Sequence, residues 1–363
     1  MNFYNEFLKY SEKMKKKALT HFNRRSFLKT SGMAVIGFSL PYQYSQSNSI
    51  RQKVPPPGDA LVGIVKNDNS EDMVNTAIDL AGGLNEINPG DTVVIKPNIT
   101  TKNNRDFHGV RVVTSPKILQ AVIRAVKEKT SEKNITVAEA CAFGRSTREA
   151  AQSTGIYAVC LEEDVNFVAW EEEKYISFKH NDFSHIRYAR KIPASLSSFD
   201  HFINLPILKN HEMVPYSNAN YTCCLKNFVG VISPDNRLDI HTTDLGEKIA
   251  ELNLCVPHIT MNIVDALTII LTGGPAGSNM KTANAGLVIA SKDRVACDSL
   301  ALAVLKYYAS EQNIKRNYVN QSVWNQAQIK HASTLGLGRT NPEQIIIREE
   351  GVDTIDGILA KWC

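Results

Sequence analysis

From residue 60 onward, short β-branched and aliphatic runs alternate with longer amphipathic stretches. Leu61 to Lys66, Thr92 to Lys96, Asn134 to Glu139, His201 to Leu205, Thr260 to Val264, Gly286 to Ala290 and Gln344 to Arg348 read as strands. Glu71 to Leu84, Lys117 to Lys129, Asp244 to Leu254, Arg294 to Tyr308 and Ser322 to Thr334 read as helices. Ser115 is placed as the N-cap of the second helix, with Pro116 in its first turn. This alternation predicts an α/β fold, a mainly parallel sheet flanked by helices, as a single domain over 60–363. Charged and aromatic residues crowd 160–198 around a short strand-like piece, Tyr175 to Phe178, which predicts a small α+β insertion there.

The pattern is different at the start of the chain. Asn23-Arg24-Arg25-Ser26-Phe27-Leu28-Lys29 precedes a moderately apolar run from Gly32 to Leu40, and no acidic residue lies between Glu12 and the end of that run. We read residues 1–47 as a twin-arginine signal peptide, and 48–59, ending in Pro55-Pro56-Pro57-Gly58, as a proline-rich linker. The expectation is therefore export of a folded protein by the twin-arginine machinery, to the periplasm. An apolar run of about ten residues is half of the roughly 20 that span a bilayer, so no permanent membrane span is expected unless the signal is retained as an anchor.

Removing that segment changes the charge argument. The whole chain carries a formal charge of +4, but residues 1–47 hold eight Lys/Arg against two Asp/Glu, leaving 33 basic and 35 acidic side chains beyond them. The basic excess belongs to the signal, which leaves no electrostatic footprint for nucleic acid. The seven cysteines include no Cys-x-x-Cys spacing, which argues against a zinc ribbon, a dithiol redox motif or an iron-sulfur cluster in this chain. The vicinal pair Cys223-Cys224 could ligate a soft metal or form a strained disulfide, though two small buried residues account for it as well. Neither a P-loop nor a Gly-x-Ser-x-Gly nucleophile elbow is present.

In parallel sheets, ligands bind where loops leave the carboxyl ends of strands. Polar clusters fall at that boundary. Lys96 and Asn98 flank Pro97, Glu139 ends a strand, Asn204 leads through Lys209 to His211, and Asp265 follows another strand. Lys96, Lys209 and Lys226, with Asn98, Asn204, Asn227 and Arg237, form a candidate set for binding a small anionic ligand through charge-assisted hydrogen bonds. His211 and His241 are candidate acid/base residues, and Glu139, Asp265 and His211 could hold a metal ion. The run Thr272-Gly273-Gly274-Pro275-Ala276-Gly277 is a glycine-rich loop, in which Gly274 and Gly277 would let backbone amides approach a ligand or would simply make a tight turn.

Val94-Ile95-Lys96-Pro97-Asn98, Thr114-Ser115-Pro116, Ile203-Asn204-Leu205-Pro206 through Lys209 and His211, Leu225-Lys226-Asn227-Phe228-Val229-Gly230, Arg237 with His241, Val264-Asp265-Ala266 and Gly274-Pro275-Ala276-Gly277 occur in that order. Together, over about 60–310, they resemble the family known as domain of unknown function 362. The resemblance brings no settled reaction. Many members carry an added ferredoxin-like module; the absence of Cys-x-x-Cys sets this chain apart from them. The expected function is an exported enzyme or redox accessory acting on an anionic substrate or cofactor. The alternative is a periplasmic anion-binding or carrier protein without catalysis.

Overall fold

The computed structural model describes residues 58–101, 110–142, 145–212, 218–256, 258–274 and 280–362. The expected signal peptide and most of the linker lie outside the described residues.

The first half is built of strand-helix units. Strand β1 (Ala60–Lys66) leads to helix α1 (Ser70–Leu80), β2 (Val93–Pro97) to α2 (Pro116–Lys127), and β3 (Ile135–Glu139) to α3 (Thr147–Thr154), α4 (Ile156–Glu162) and β4 (Asn166–Ala169). A hairpin of β5 (Tyr175–Phe178) and β6 (Arg190–Pro193) stands apart from the main sheet. Then come β7 (His201–Leu205), β8 (Ile207–Asn210), β9 (Tyr221–Thr222), α5 (Cys224–Asn227), α6 (Pro234–Ile240) and α7 (Leu245–Leu252). The chain continues through β10 (Met261–Thr272), β11 (Lys281–Ser291), α8 (Arg294–Glu311), α9 (Asn317–Asn320), α10 (Ala327–Thr334), β12 (Ile345–Glu350) and α11 (Ile355–Leu359).

The ten-stranded sheet runs β12-β1-β11-β10-β7-β2-β3-β4, with β8 paired to β10 and β9. Its ladders are parallel except where β11 meets β1 and β10 and where β8 meets β9. The α/β class is as expected. Strands β2, β3 and β7 are buried along their whole length, as a sheet covered on both faces demands. On one face Val93, Ile95, Ile203 and Leu205 pack with residues of α1, α2 and α4; on the other, Val94 and Phe202 pack with Trp170, Phe228, Ile240 and Leu252. Burying aliphatic side chains of this size stabilises by about 1.5–3 kcal/mol each.

Differences from the expected elements have local causes. Helix α1 stops four residues early because Gly82 and Gly83 take φ of 96° and 71°, which ends the right-handed turn. The pair α3 and α4 is absent from the sequence reading because Gly155, at φ 85°, cuts it into pieces too short to show a helical period. Strand β4 joins the main sheet, so the separate small sheet begins beyond it rather than at residue 160. The pieces read at 260–264 and 286–290 belong to one long hairpin, β10 and β11, in which β10 is buried at both ends while the outer half of β11 is mixed in character. Among the described residues, no helix is long and apolar enough to cross a membrane.

Candidate anion-binding site

Parity along the buried strands decides which side chains reach the face covered by α5 to α7. Lys96 lies two residues beyond Val94, and Asn204 two beyond Phe202, so both point to that face. They are register partners; Asn204 stands opposite Asn262 of β10, and Asn262 opposite Ser291 of β11. The result is a polar row across four neighbouring strands. Asn204 Nδ2 donates to Asn262 Oδ1 (2.9 Å) and to the Cys224 carbonyl (3.1 Å), while Asn262 Nδ2 donates to the Ser291 carbonyl (3.0 Å). Asn227 on α5 closes over the row, donating to Asn204 Oδ1 (2.8 Å) and to the Lys96 carbonyl (3.2 Å). Its own Oδ1 accepts from Asn98 Nδ2 (2.9 Å), and Asn98 Oδ1 accepts from Lys209 Nζ (2.9 Å). A buried amide network of this kind holds each member in one orientation.

Lys96 Nζ contacts Glu139 Oε2 at 2.7 Å with both side chains out of water. Burial disfavours charge on both partners, lowering the lysine pKa and raising that of the carboxyl, against their mutual attraction. Glu139 also receives the amide of Ala140 (2.9 Å). Gly230 seals the pair, since a Cβ there would collide with both Glu139 Oε1 and Lys96 Nζ. Arg237 is equally buried. Its guanidinium donates to the carbonyls of Cys141 (2.7 Å), Ala140 (2.6 Å), Ile232 (3.1 Å) and Gly230 (3.2 Å), so it acts as a clamp on the backbone.

Lys209, Lys226, His211 and His241 form a second cluster beside this framework. Lys209 donates to Asn98 and to the Val112 carbonyl (2.7 Å). Its pKa is lowered to about 7 by burial and then by Lys226. Lys226 lies on α5, and its ammonium has no hydrogen-bond or ion-pair partner among the described residues; burial, then Arg237, lowers its pKa to about 8. His211 follows β8, and its buried Nδ1 has no partner among the described residues. Burial, then the charges of Lys226 and its neighbours, holds this imidazole neutral, well below the usual range. His241 stands with its ring centroid 6.4 Å from that of His211 and directs Nδ1 at the Arg237 carbonyl (2.7 Å). Burial, then Lys226, lowers its pKa to about 3. Two neutral imidazoles beside two amines of depressed pKa make a desolvated, electropositive corner.

The remaining candidates lie differently. Asp265 receives the Ser115 amide (2.7 Å) and the Leu267 amide (3.2 Å), so it caps α2 in place of the Ser115 hydroxyl, which makes no cap. Glu139 and Asp265 are thus engaged elsewhere, and the structure does not gather them with His211 as a ligand set. Among the described residues, the groups with closely spaced ligand atoms are His185, Glu251 and His331, and Cys223, Cys224 and Asp298. Gly274 donates its amide to Asn210 Oδ1 (2.8 Å), and a Cβ on it would strike the Asn210 carbonyl, so its bareness permits close backbone packing. Gly277 lies outside the described residues.

The same stretch that builds the network, residues 93–303, matches the profile of DUF362, a domain of unknown function. The chain belongs to this DUF362 family. Thylakoid-associated protein sll1697 of Synechocystis sp. is 25% identical over 240 residues, which are 64% of this chain and 69% of that protein. A solved structure, the lactate racemase apoprotein from Thermoanaerobacterium thermosaccharolyticum, aligns with a TM-score of 0.40 and 14% identity over 63% of this chain and 54% of that one. The matched DUF362 region contains every strand and helix that supplies the amide network.

In that DUF362 framework Asn262 is a member that the sequence motifs do not include, and Thr114 one whose role they do not show. Asn262 follows Met261 inside a run that is otherwise apolar, and a polar residue within a fully buried strand was the available signal. Thr114 links Asn98 N (2.8 Å) to the Leu205 carbonyl (2.9 Å), a role only the folded geometry shows.

Proposed function

We propose that this chain is an exported enzyme, or enzyme-like redox accessory, that binds a small phosphate or carboxylate between Lys209 and Lys226, with His211 as proton acceptor. The observation that carries this reading is the buried Nδ1 of His211 beside the ammonium of Lys226, neither of which has a partner among the described residues. Buried polar groups without partners are rare and ask for a ligand. An anion would complete the hydrogen bonding of Lys226 and raise the pKa of the amines and of His211 together. The imidazole then gains basicity only when the site is filled, which couples proton transfer to binding. The amide network holds Lys209 and Asn227 in place for this, and Arg237 keeps the backbone behind them fixed. Export rests on Arg24 and Arg25; a reporter fused to residues 1–47 should lose twin-arginine-dependent export when both become lysine.

Isothermal titration with inorganic phosphate, acetate and oxalate tests the site. Binding of at least one anion is expected, weakening as pH rises from 7 to 9, with at least tenfold loss in Lys226→Met. Indifference to all three anions in the wild-type protein refutes the reading. His211→Ala separates catalysis from carriage: an enzyme keeps anion affinity within a few fold and loses turnover, whereas a carrier has no turnover to lose.

A further inference from the structure

A second cluster shares no residue with the anion site. Ser184 to Ile186 come from the segment between β5 and β6, Glu251 from α7 and His331 from α10, and they meet around one carboxylate. Glu251 Oε1 lies 3.1 Å from His185 Nδ1 and 3.2 Å from His331 Nε2. The two rings stand at 82° with centroids 4.9 Å apart.

The Glu251 side chain is fully buried, yet among the described residues no lysine or arginine pairs with it. Its Oε1 accepts from the Ser184 amide (2.9 Å) and hydroxyl (2.8 Å) and from the His185 amide (2.9 Å), and its Oε2 accepts from the Ile186 amide (2.8 Å). Hydrogen bonding to a ligating carboxylate is what fixes it for an ion.

At its other ring nitrogen, His331 Nδ1 lies 3.4 Å from the Thr334 hydroxyl, which itself donates to the His331 carbonyl (2.7 Å). The spacing suits a cation. Around a tetrahedral zinc ion with bonds of about 2.0–2.1 Å to N and O, neighbouring ligand atoms lie about 3.3 Å apart. The two N···O distances here, 3.1 Å and 3.2 Å, are close to that edge. The His185 side chain is 32% exposed and that of His331 17%, so an ion can enter from solvent and retain water ligands.

We propose that His185 Nδ1, Glu251 Oε1 and His331 Nε2 bind a divalent transition ion, zinc being the best match, which staples the segment between β5 and β6 to α7 and α10. Three N/O ligands of borderline softness suit this class better than calcium or magnesium, which take oxygen. Binding displaces whatever protons stand on the two ligating nitrogens, so affinity falls in acid.

The test uses the full chain after chelator treatment and dialysis. Zinc titration against a competing indicator dye should give one ion bound in the micromolar range or tighter, at least tenfold weaker in His185→Ala and in His331→Ala. Zinc should raise the melting temperature of the metal-free wild type by more than that of either variant. Both histidines are partly exposed, so the variants are expected to fold, and circular dichroism of the metal-free proteins checks this. Absence of zinc binding in the wild type overturns the proposal and leaves a purely hydrogen-bonded latch. Zinc retained at full affinity in both variants also overturns it, and directs attention to Cys223, Cys224 and Asp298.

Discussion

Replacing Lys226 by methionine should make the protein more stable, an outcome opposite to that of most buried substitutions. An amine whose pKa drops from 10.5 to about 8 is held charged in the fold at a cost of roughly 3 kcal/mol at pH 7, taking about 1.4 kcal/mol per tenfold change. Because no hydrogen bond or ion pair of Lys226 is lost among the described residues, methionine of similar length removes that cost and leaves no orphaned partner. Packing mismatch offsets part of the gain, so about 1–3 kcal/mol is expected. The pH dependence distinguishes this cause from general repacking. Below pH 8 the amine is protonated in both folded and unfolded chains and the full cost is present; between 8 and 10.5 the folded amine loses its proton first and the cost fades; above 10.5 it is gone. Urea denaturation of both proteins at pH 7 and pH 10, without phosphate, should show the advantage of Lys226→Met shrinking at the higher pH. A variant less stable than wild type by more than 1 kcal/mol at pH 7 would falsify the argument, since it would mean that the ammonium is well solvated or paired.

Other perturbations follow from the same geometry. Glu139→Gln leaves the buried Lys96 ammonium without its counter-charge and should cost about 3–5 kcal/mol in urea denaturation; a loss below 1 kcal/mol would show that the pair is not desolvated. Gly230→Ala forces a methyl into that ion pair and should destabilise comparably, or prevent soluble expression, whereas a neutral result would contradict the close approach. Asn204→Leu orphans acceptors and donors on Asn262 and Asn227 and should cost roughly 2–4 kcal/mol, at about 1–3 for each buried group left unsatisfied. Anion binding at pH 8 should draw in protons, because Lys209, lowered to about 7, regains its charge beside the ligand; calorimetry in buffers of different ionisation heat measures the uptake, and heats independent of the buffer at pH 8 would contradict it.

The sheet was legible because its central strands hold β-branched and aliphatic runs bounded by turns, and α2 because Ser115-Pro116 announces it. Elements whose character comes from long-range pairing were not. Strand β8, only four residues long, follows Pro206 directly and exists only through β10 and β9, and the outer half of β11 is too mixed in character to read as strand. Within the site, lysines and asparagines at strand ends drew notice because polar groups in apolar runs need partners. Sequence could not say which partner each would take. Lys96 finds Glu139, Lys209 finds Asn98 and Lys226 finds none among the described residues, a distinction set by register and helix placement. Arg237 matched an anion-binding pattern but faces carbonyls, and Asp265 matched a ligand pattern but caps a helix.

The polar row from Lys96 through Asn204 and Asn262 to Ser291 also bears on how this sheet could change over time. Parallel apolar strands are poor at telling one alignment from another that lies two residues away, because the same face stays greasy in both. Here a slip of any one strand would leave an amide facing an aliphatic side chain, so each asparagine acts as an index mark for its neighbours. An insertion or deletion inside β2, β7 or β10 would therefore be tolerated only with a compensating one in the adjoining strands. Length variation should accumulate in the segments between them, leaving the floor beneath the lysine and histidine cluster at a fixed number of residues.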